Sequence, residues 1–252
     1  MLRASLSLLF WAFLVLSSTL FFGVALALWA ITAPFDRRRV VLHGFTCFWA
    51  SVYTWLNPAW KVRVLGRERI RPGVAYIMVA NHLSLLDILV VFRLFRHFKW
   101  VSKIENFRVP LIGWNMTLNG YIPLRRGSQE SAAHMLEACE HTLEAGSSVT
   151  IFPEGTRSSD GRLLQFRPGA FEIAKRAQQP ILPVLIRGTA DALPKRGFIL
   201  RGRHPISVEV LDELAPESFS GLDTEQLALE VRQIFAERLG ENGQNEPVRA
   251  AG

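Results

Sequence analysis

His82 and Asp87 stand five positions apart, directly after the apolar run VAYIMVA. On a straight helix, side chains at this spacing point about 140° apart, so the two can meet only if His82 lies in a turn before the helix. Asp87 would then accept a hydrogen bond from one ring nitrogen, and the other nitrogen could take a proton from an alcohol. The alternative is structural: Ser84 and Asp87 have the spacing of a capping box, and His82 could simply cap a carbonyl.

Two arginines follow a second apolar run in the sequence GYIPLRRG, residues 120–127. Guanidinium groups match the geometry of phosphate oxygens, so Arg125 and Arg126 are candidate anion ligands. Lys103, after the run KWVS, is a further candidate phosphate contact. The alternative is an ordinary solvated turn, and these residues alone favour neither interpretation.

A third polar cluster is the string FPEGTRS, residues 152–158, which follows the run SVTI. Gly155 permits close backbone approach to a ligand. Glu154 is a candidate partner for a substrate hydroxyl or an arginine, Arg157 is a candidate phosphate ligand, and Thr156 lies between them. The alternative is a structural turn with an internal Glu–Arg ion pair. In the same region the sequence FRPGA, residues 166–170, precedes a predicted helix whose first amides could face an anion.

Alternating strand-like and helix-like segments from residue 61 onward must position these clusters. Such alternation predicts an α/β fold, in which a mixed sheet is covered by helices. Polar residues just beyond the carboxyl ends of strands are natural places for chemistry in such folds. The predicted strands are Lys61–Gly66, Val74–Ala80, Lys99–Ser102, Tyr121–Leu124, Ser148–Phe152, Ile181–Arg187 and Ile206–Leu211. The predicted helices are Ser84–His97, Pro110–Leu118, Ser128–Ala145, Gly169–Gln178 and Thr224–Leu239.

An uncharged segment, residues 4–35, precedes this domain and predicts a membrane-associated helix. Such a helix would be about 48 Å long, against a hydrocarbon core of about 30 Å, so it could span with tilt or turn back. Three consecutive arginines at 37–39 then place the following domain on the cytoplasmic face, which is that of the inner membrane if the protein is bacterial. A cleaved signal peptide is the competing interpretation, although the apolar run is longer than usual.

Residues 40–60 carry three tryptophans and a tyrosine, which favour the headgroup zone of a bilayer. They predict a second helix, either in the membrane interface or in an ordinary core. We therefore expect membrane-anchoring helices over residues 1–58, an α/β domain over 59–240 and a disordered tail over 241–252.

The net charge of +7 comes mostly from scattered arginines, with no long basic block. This distribution fits a membrane surface and a phosphorylated ligand better than nucleic acid, for which no motif is present. Cys47 and Cys139 match no metal-binding or redox spacing and are expected to be buried thiols. We accordingly expect neither a bound metal nor another cofactor.

Four blocks in this order resemble those of the glycerolipid acyltransferase family, which includes the 1-acylglycerol-3-phosphate acyltransferases. They are NHLSLLD, GYIPLRR, FPEGTRS and ILPV, and the resemblance covers about residues 60–215. It implies that His82 is the catalytic base with Asp87 as its partner. It also implies that Arg126, Glu154 and Arg157 bind the phosphorylated acceptor, with Gly155 shaping the turn. The second block departs from the family pattern at Pro123 and Arg125, which leaves open which arginine holds phosphate.

The hypothesis drawn from the resemblance is direct acyl transfer at a membrane. A fatty acyl chain would move from acyl-coenzyme A or acyl carrier protein to the free sn-2 hydroxyl of lysophosphatidic acid, giving phosphatidic acid for phospholipid synthesis. The alternatives are another lysolipid acceptor, such as lyso-ornithine lipid, and a catalytically inert lipid-binding membrane protein. A serine hydrolase is disfavoured because no G-x-S-x-G turn is present.

Overall fold

A seven-stranded mixed sheet forms the centre of the computed structural model, which describes residues 2–195 and 198–240. The strands along the chain are β1 (Trp60–Leu65), β2 (Ile77–Ala80), β3 (Phe98–Lys103), β4 (Ile122–Leu124), β5 (Ser148–Ile151), β6 (Ile181–Arg187) and β7 (His204–Val210). All seven predicted strands are therefore confirmed, with ends that differ by up to three residues.

The strands lie side by side in the order β1-β7-β6-β2-β5-β3-β4. The neighbours from β6 to β4 pair in parallel, whereas β7 is antiparallel to β6. β1 pairs in parallel with β7 and therefore also runs opposite to the other five strands. Consequently the carboxyl ends of β2, β3, β4 and β5 share one edge of the sheet. The three polar clusters of the sequence all follow these strand ends, which brings them to the same edge.

Helices cover both faces of the sheet, as the predicted α/β class requires. They are α1 (Leu2–Thr32), α2 (Val40–Trp55), α3 (Leu86–Val91), α4 (Ile112–Leu118), α5 (Gln129–Glu144), α6 (Gly169–Ala177), α7 (Thr189–Ala192) and α8 (Thr224–Leu239). Buried side chains of α5, α6 and α8 pack together with one face of the sheet. Those of α2 and α3 pack with the opposite face. Both predicted free cysteines are buried in these two layers.

The helix predicted at Ser84–His97 is much shorter in the structure, because side-chain contacts delay its start. Asp87 Oδ2 accepts hydrogen bonds from the backbone amides of Leu83 and Ser84, so α3 begins only at Leu86. At the other end a 3-10 turn stops at Phe95, whose φ of 47° lies in the left-handed region. The chain then turns into β3, since Phe98 is fully buried in the sheet. Tertiary packing here overrides a helical apolar pattern.

The predicted N-terminal helices are present and form an antiparallel pair. α1 is the one helix of the described residues that is long and apolar enough to cross a membrane by length and composition. Its middle turns meet α2 at Tyr53, whose hydroxyl lies 3.1 Å from Ser17 Oγ and 3.0 Å from Ser18 Oγ. Ala25 of α1 is fully buried in the same contact, yet Leu8 and Leu16 are about 70% exposed. One face of α1 therefore packs on the protein and the other presents apolar side chains.

The second helix is packed on one side and exposed on the other, and its position in a membrane interface stays a prediction. Cys47, Ala50 and Trp49 of α2 are buried against the sheet layer or α1, whereas Phe48 and Trp55 remain nearly half exposed. The predicted boundaries of the N-terminal segment and of the α/β domain stay predictions. The tail expected to be disordered, residues 241–252, lies outside the described residues.

Candidate active site

The turn that carries His82 is fixed by the residue before it. Asn81 lies directly after β2 and is fully buried. Its side-chain amide donates to the carbonyl of Ile186 at 2.9 Å, and its oxygen accepts from the amide of the same residue at 2.8 Å. Asn81 thus pairs with β6 as a strand residue would, although the chain has already left the sheet. This paired contact sets the direction in which His82 leaves β2.

His82 and Asp87 meet, as the turn geometry required. His82 Nδ1 lies 2.8 Å from Asp87 Oδ2, and the same oxygen accepts the amides of Leu83 at 2.6 Å and Ser84 at 2.7 Å. Because a carboxylate only accepts, Nδ1 carries the proton and Nε2 is left as the basic nitrogen. The imidazole stacks on Phe152, with 4.0 Å between ring centroids. The pair can therefore act as an oriented general base, and its catalytic role stays a prediction.

The turn of residues 152–158 holds the backbone of His82 from both sides. Glu154 Oε1 accepts the amide of His82 at 2.6 Å, and the amide of Ser158 donates to the carbonyl of His82 at 2.8 Å. Glu154 Oε2 accepts the amide of Leu164 at 3.1 Å. Burial raises the pKa of Glu154 to about 7, although the two amide contacts lower it. The first and third polar clusters thus form one unit.

A cavity of about 360 Å³ opens beside His82. Its polar lining includes Lys103, Arg126 and the backbone at Gly155. The remainder is largely aliphatic and aromatic and comes from α2, α3, α4 and the sheet. These apolar residues include Trp49, Ala50, Tyr53, Leu85, Ile88, Leu89, Trp100, Ile112, Met116 and Phe152. The cavity therefore combines one basic nitrogen, two cations and an apolar compartment.

The cations beside this cavity come from three separate parts of the chain. Lys103 ends β3, Arg126 follows β4, and Arg167 packs against Gly155. Gly155 has a φ of +66°, and a Cβ built there would lie 2.8 Å from Arg167 Nε. Burial lowers the pKa of Arg126, and the neighbouring charge of Arg167 lowers it further. Among the described residues no carboxylate forms an ion pair with either guanidinium, although the charge of Glu105 raises the pKa of Arg126. The two arginines therefore form a candidate anion-binding site.

The other predicted substrate-binding residues lie around the cavity without lining it. Arg125 is exposed, and its amide donates to Ser131 Oγ at 2.9 Å. Thr156 and Arg157 are partly buried, and the carbonyl of Arg157 accepts Lys195 Nζ at 2.6 Å. The internal ion pair considered for this turn is not formed, because Glu154 binds backbone amides instead. The substrate-binding roles of Arg125, Thr156 and Arg157 stay predictions.

Comparison with known proteins decides the family of this chain. A family profile described as Acyltransferase matches residues 61–187, about half of the sequence. A 1-acyl-sn-glycerol-3-phosphate acyltransferase of Chlamydomonas reinhardtii is 34% identical over 237 residues, covering 92% of this chain and 69% of that protein. The chain belongs to the acyltransferase family. The resemblance predicted from the four sequence blocks is thereby confirmed.

Two further relatives and one solved structure agree with this assignment. The acyltransferase is 38% identical to a chloroplastic 1-acyl-sn-glycerol-3-phosphate acyltransferase of Arabidopsis thaliana, over 64% of this chain and 45% of that protein. It is 33% identical to that of Saccharomyces cerevisiae, over 72% of this chain and 61% of that protein. The chain therefore spans less than two thirds of the length of these two relatives.

A crystal structure of the 1-acyl-sn-glycerophosphate acyltransferase PlsC from Thermotoga maritima superposes with a TM-score of 0.75. It is 23% identical, and the match covers 97% of this chain and 99% of that one. At this identity the likeness supports the fold. The acyltransferase thus shares its overall fold with that protein over nearly its whole length.

Sequence reasoning missed two arginines of the acyltransferase that support the site. Arg167 lies in the FRPGA segment, whose sequence indicates helix amides facing an anion but does not indicate the contact of this side chain with Gly155. Arg232 in α8 donates from Nε to the carbonyl of Leu164 and from Nη2 to that of Leu163, both at 3.0 Å. The contact is separated by 68 residues in sequence, so no local pattern could have indicated it. Through Leu164, Arg232 supports the carboxylate that holds His82.

Proposed function

We propose that this acyltransferase moves a fatty acyl chain from a thioester donor to the sn-2 hydroxyl of lysophosphatidic acid, giving phosphatidic acid. One observation supports this most directly: a single cavity contains the free nitrogen of an oriented histidine, two cations and an apolar compartment. The histidine suits an alcohol, the cations suit a phosphate, and the compartment suits a hydrocarbon chain. The relatives are named as 1-acyl-sn-glycerol-3-phosphate acyltransferases, and that name specifies lysophosphatidic acid as the acceptor.

The reaction needs a base that carries one proton and a hydroxyl group that attacks the thioester carbonyl. His82 Nε2 takes the hydroxyl proton as the acceptor oxygen attacks the thioester carbonyl, which gives a tetrahedral intermediate with an oxyanion. When this intermediate collapses, the carbon–sulfur bond breaks and the thiolate takes the proton from His82. Asp87 holds the imidazole in the required tautomer and offsets its transient charge. General-base catalysis of this kind contributes about 10²- to 10⁴-fold.

Phosphate recognition is assigned to the cations that flank Gly155. Lys103 and Arg126 line the cavity itself, and Arg167 lies against Gly155, which also lines it. A phosphate held there would place a lysophospholipid hydroxyl near His82, which converts a bimolecular encounter into a positioned one. We extend the same proposal to location: the enzyme works at a membrane, with its α/β domain on the cytoplasmic side. The need for no metal or other cofactor stays a prediction.

Acceptor and donor panels test this proposal on the full chain purified in detergent. Thiol release from acyl-coenzyme A would be measured with lysophosphatidic acid, with lysophosphatidylcholine, with a lyso-ornithine lipid and without acceptor. A parallel series would use acyl carrier protein as the donor. We expect release that depends on lysophosphatidic acid, with phosphatidic acid as the product by mass spectrometry. Release with another lysolipid alone would overturn the acceptor, and no release with either donor would overturn the enzymatic function.

A further inference from the structure

The segment that joins α7 to β7 contacts the loops of the active site. The carbonyl of Leu193 accepts Ser84 Oγ at 2.6 Å, two residues beyond His82. Lys195 Nζ donates to the carbonyl of Arg157 at 2.6 Å. The segment therefore holds the turn of His82 at one point and the 152–158 turn at another. Its position is tied to the catalytic edge of the sheet.

The same segment is bound to the N-terminal turns of α1. Trp11 Nε1 donates to the carbonyl of Phe198 at 2.7 Å, and the two rings meet edge to face at 5.7 Å. The amide of Leu200 donates to Ser7 Oγ at 2.9 Å. Both contacts join residues more than 180 positions apart in sequence. The segment and the start of the apolar helix thus form one surface.

This surface exposes large apolar side chains and carries arginines close to them in sequence. Phe198 is 66% exposed and Ile199 is 54% exposed, although both are large apolar side chains. On α1 beside them, Leu8 and Leu9 are 70% and 66% exposed. Arg201 and Arg203 follow Phe198 and Ile199 closely in sequence, and both arginines are exposed. This combination is typical of a structure that inserts apolar side chains among lipids and binds anionic headgroups with its cations.

We propose that Phe198 and Ile199 form a second membrane-insertion point, beside the N-terminal turns of α1, on an anionic bilayer. Arg201 and Arg203, which are both exposed, would bind the headgroup phosphates around it. Continuity with the apolar face of α1 favours a bilayer over a protein partner, because the exposed apolar side chains of both elements adjoin one another. The consequence is that the loops of His82 and Arg157 are held at the lipid surface from which a lysolipid would come. The insertion itself does not depend on the identity of that lipid.

Fluorescent labelling at single engineered cysteines tests the insertion without reference to catalysis. Phe198→Cys would carry an environment-sensitive dye in the full chain, whose own cysteines are buried. Leu229→Cys is the matched control, because Leu229 is 63% exposed on α8. Each protein would be added to phosphatidylcholine vesicles with and without phosphatidylglycerol. A soluble quencher and a lipid-chain nitroxide would report where the dye lies.

We expect the dye at position 198 to lose access to the soluble quencher and to be quenched by the lipid-chain nitroxide. The dye at position 229 should remain accessible to the soluble quencher. R201E/R203E should abolish the gain from phosphatidylglycerol, whereas R201K/R203K should keep it. A dye at position 198 that stays accessible while the protein floats with the vesicles would overturn the proposal. Shielding that rises with protein concentration in the absence of lipid would indicate a second copy as the occupant and would also overturn it.

Discussion

Glu154 contacts the backbone of His82 and not its imidazole, so we expect it to position the base. Both of its oxygens accept backbone amides, from His82 and from Leu164, and its side chain is 3% exposed. In Glu154→Gln one oxygen is replaced by an NH₂ group, which faces an amide donor and leaves it unpaired. An unsatisfied buried donor costs about 1–3 kcal/mol, so we expect kcat to fall about tenfold or more while the acceptor KM is kept. Steady-state kinetics would measure both constants.

The matched control for this substitution is Glu144→Gln, since Glu144 is exposed on α5. It should leave kcat unchanged. A rise in acceptor KM at constant kcat in Glu154→Gln would contradict the positioning role. It would favour instead the substrate-binding role predicted from the sequence.

The buried carboxyl of Glu154 also predicts a pH dependence of stability. Burial raises its pKa from 4.5 to about 7, so the folded protein binds the proton more tightly than the unfolded chain does. This stabilisation is complete below pH 4.5 and is lost as the pH rises through about 7. The shift corresponds to about 3 kcal/mol. Glu154→Gln does not titrate, so the wild-type free energy of unfolding should decline relative to the variant across this window.

Denaturant unfolding of the two proteins in one detergent, at a series of pH values, would measure this difference. A difference that does not change between pH 4.5 and about 7 would show that Glu154 keeps an ordinary pKa.

The two adjacent arginines should differ sharply in their effect on the acceptor. Both arginines are exposed, but Arg126 lines the cavity and lies near Arg167, whereas Arg125 does not line it. Hydrogen bonds to charged groups contribute about 1.5–3 kcal/mol, so Arg126→Met should raise the acceptor KM by about tenfold or more. Arg125→Met is the matched control and should leave the KM nearly unchanged. Equal effects of the two substitutions would refute the assignment of the phosphate to Arg126.

Residue types and spacing could indicate the His82–Asp87 pair, because the two side chains are close in sequence and only a turn was required. They could not choose between Arg125 and Arg126, since the choice depends on which side chain the end of β4 directs toward the cavity. Nor could they indicate the amide partners of Glu154, because the contact with His82 joins residues 72 positions apart. Hydrogen bonds to backbone groups leave no trace in the residue type of the partner.

At the scale of elements, α8 is coupled to the active site through one side chain. Arg232 donates to the carbonyls of Leu163 and Leu164, and the amide of Leu164 binds Glu154. Arg232→Met would keep the length of the side chain and lose both hydrogen bonds. We expect a loss of about 2 kcal/mol in the free energy of unfolding and a lower kcat, because the support of Glu154 loosens.

Unfolding and kinetic measurements on Arg238→Met provide the control for this prediction. Arg238 lies on the same helix, is half exposed and forms a longer ion pair with Glu209, at 3.7 Å. It should change stability little, and kcat should stay at the wild-type value. An Arg232→Met variant with unchanged kcat would show that α8 supports the fold without influencing the base.

The strands were predictable because each is a short apolar run bounded by turn residues, as at Ile181–Arg187. The central position of β6 was not, because a proline cannot donate to the sheet ladder and is otherwise confined to edge strands, first strand positions or bulges. The structure places Pro183 opposite a bulge: Val184 pairs with Val210 and Ile181 with Leu214, which leaves one extra residue on the facing chain. The order of the strands depends on long-range pairing, which no local pattern contains.

The whole molecule has its chemistry at one edge of the sheet and an apolar surface on its N-terminal helices. The cavity connects the edge of the sheet with the N-terminal helices, because α2 and α4 contribute to its lining and also pack against α1. Length and lack of charge predicted the apolar helix α1. They could not predict that it lies along α2 and reaches the segment before β7, since this packing involves residues from both ends of the chain.

The measurement that tests the proposed mechanism most directly is the acceptor-dependent rate of thiol release in His82→Ala. His141→Ala is the matched control, because His141 is 83% exposed on α5, away from the cavity. We expect His82→Ala to lower kcat by about 10²-fold or more with the protein still folded, and His141→Ala to retain the wild-type rate. Circular dichroism would confirm the fold of both variants. A folded His82→Ala protein that transfers acyl chains at the wild-type rate would contradict the assignment of His82 as the base.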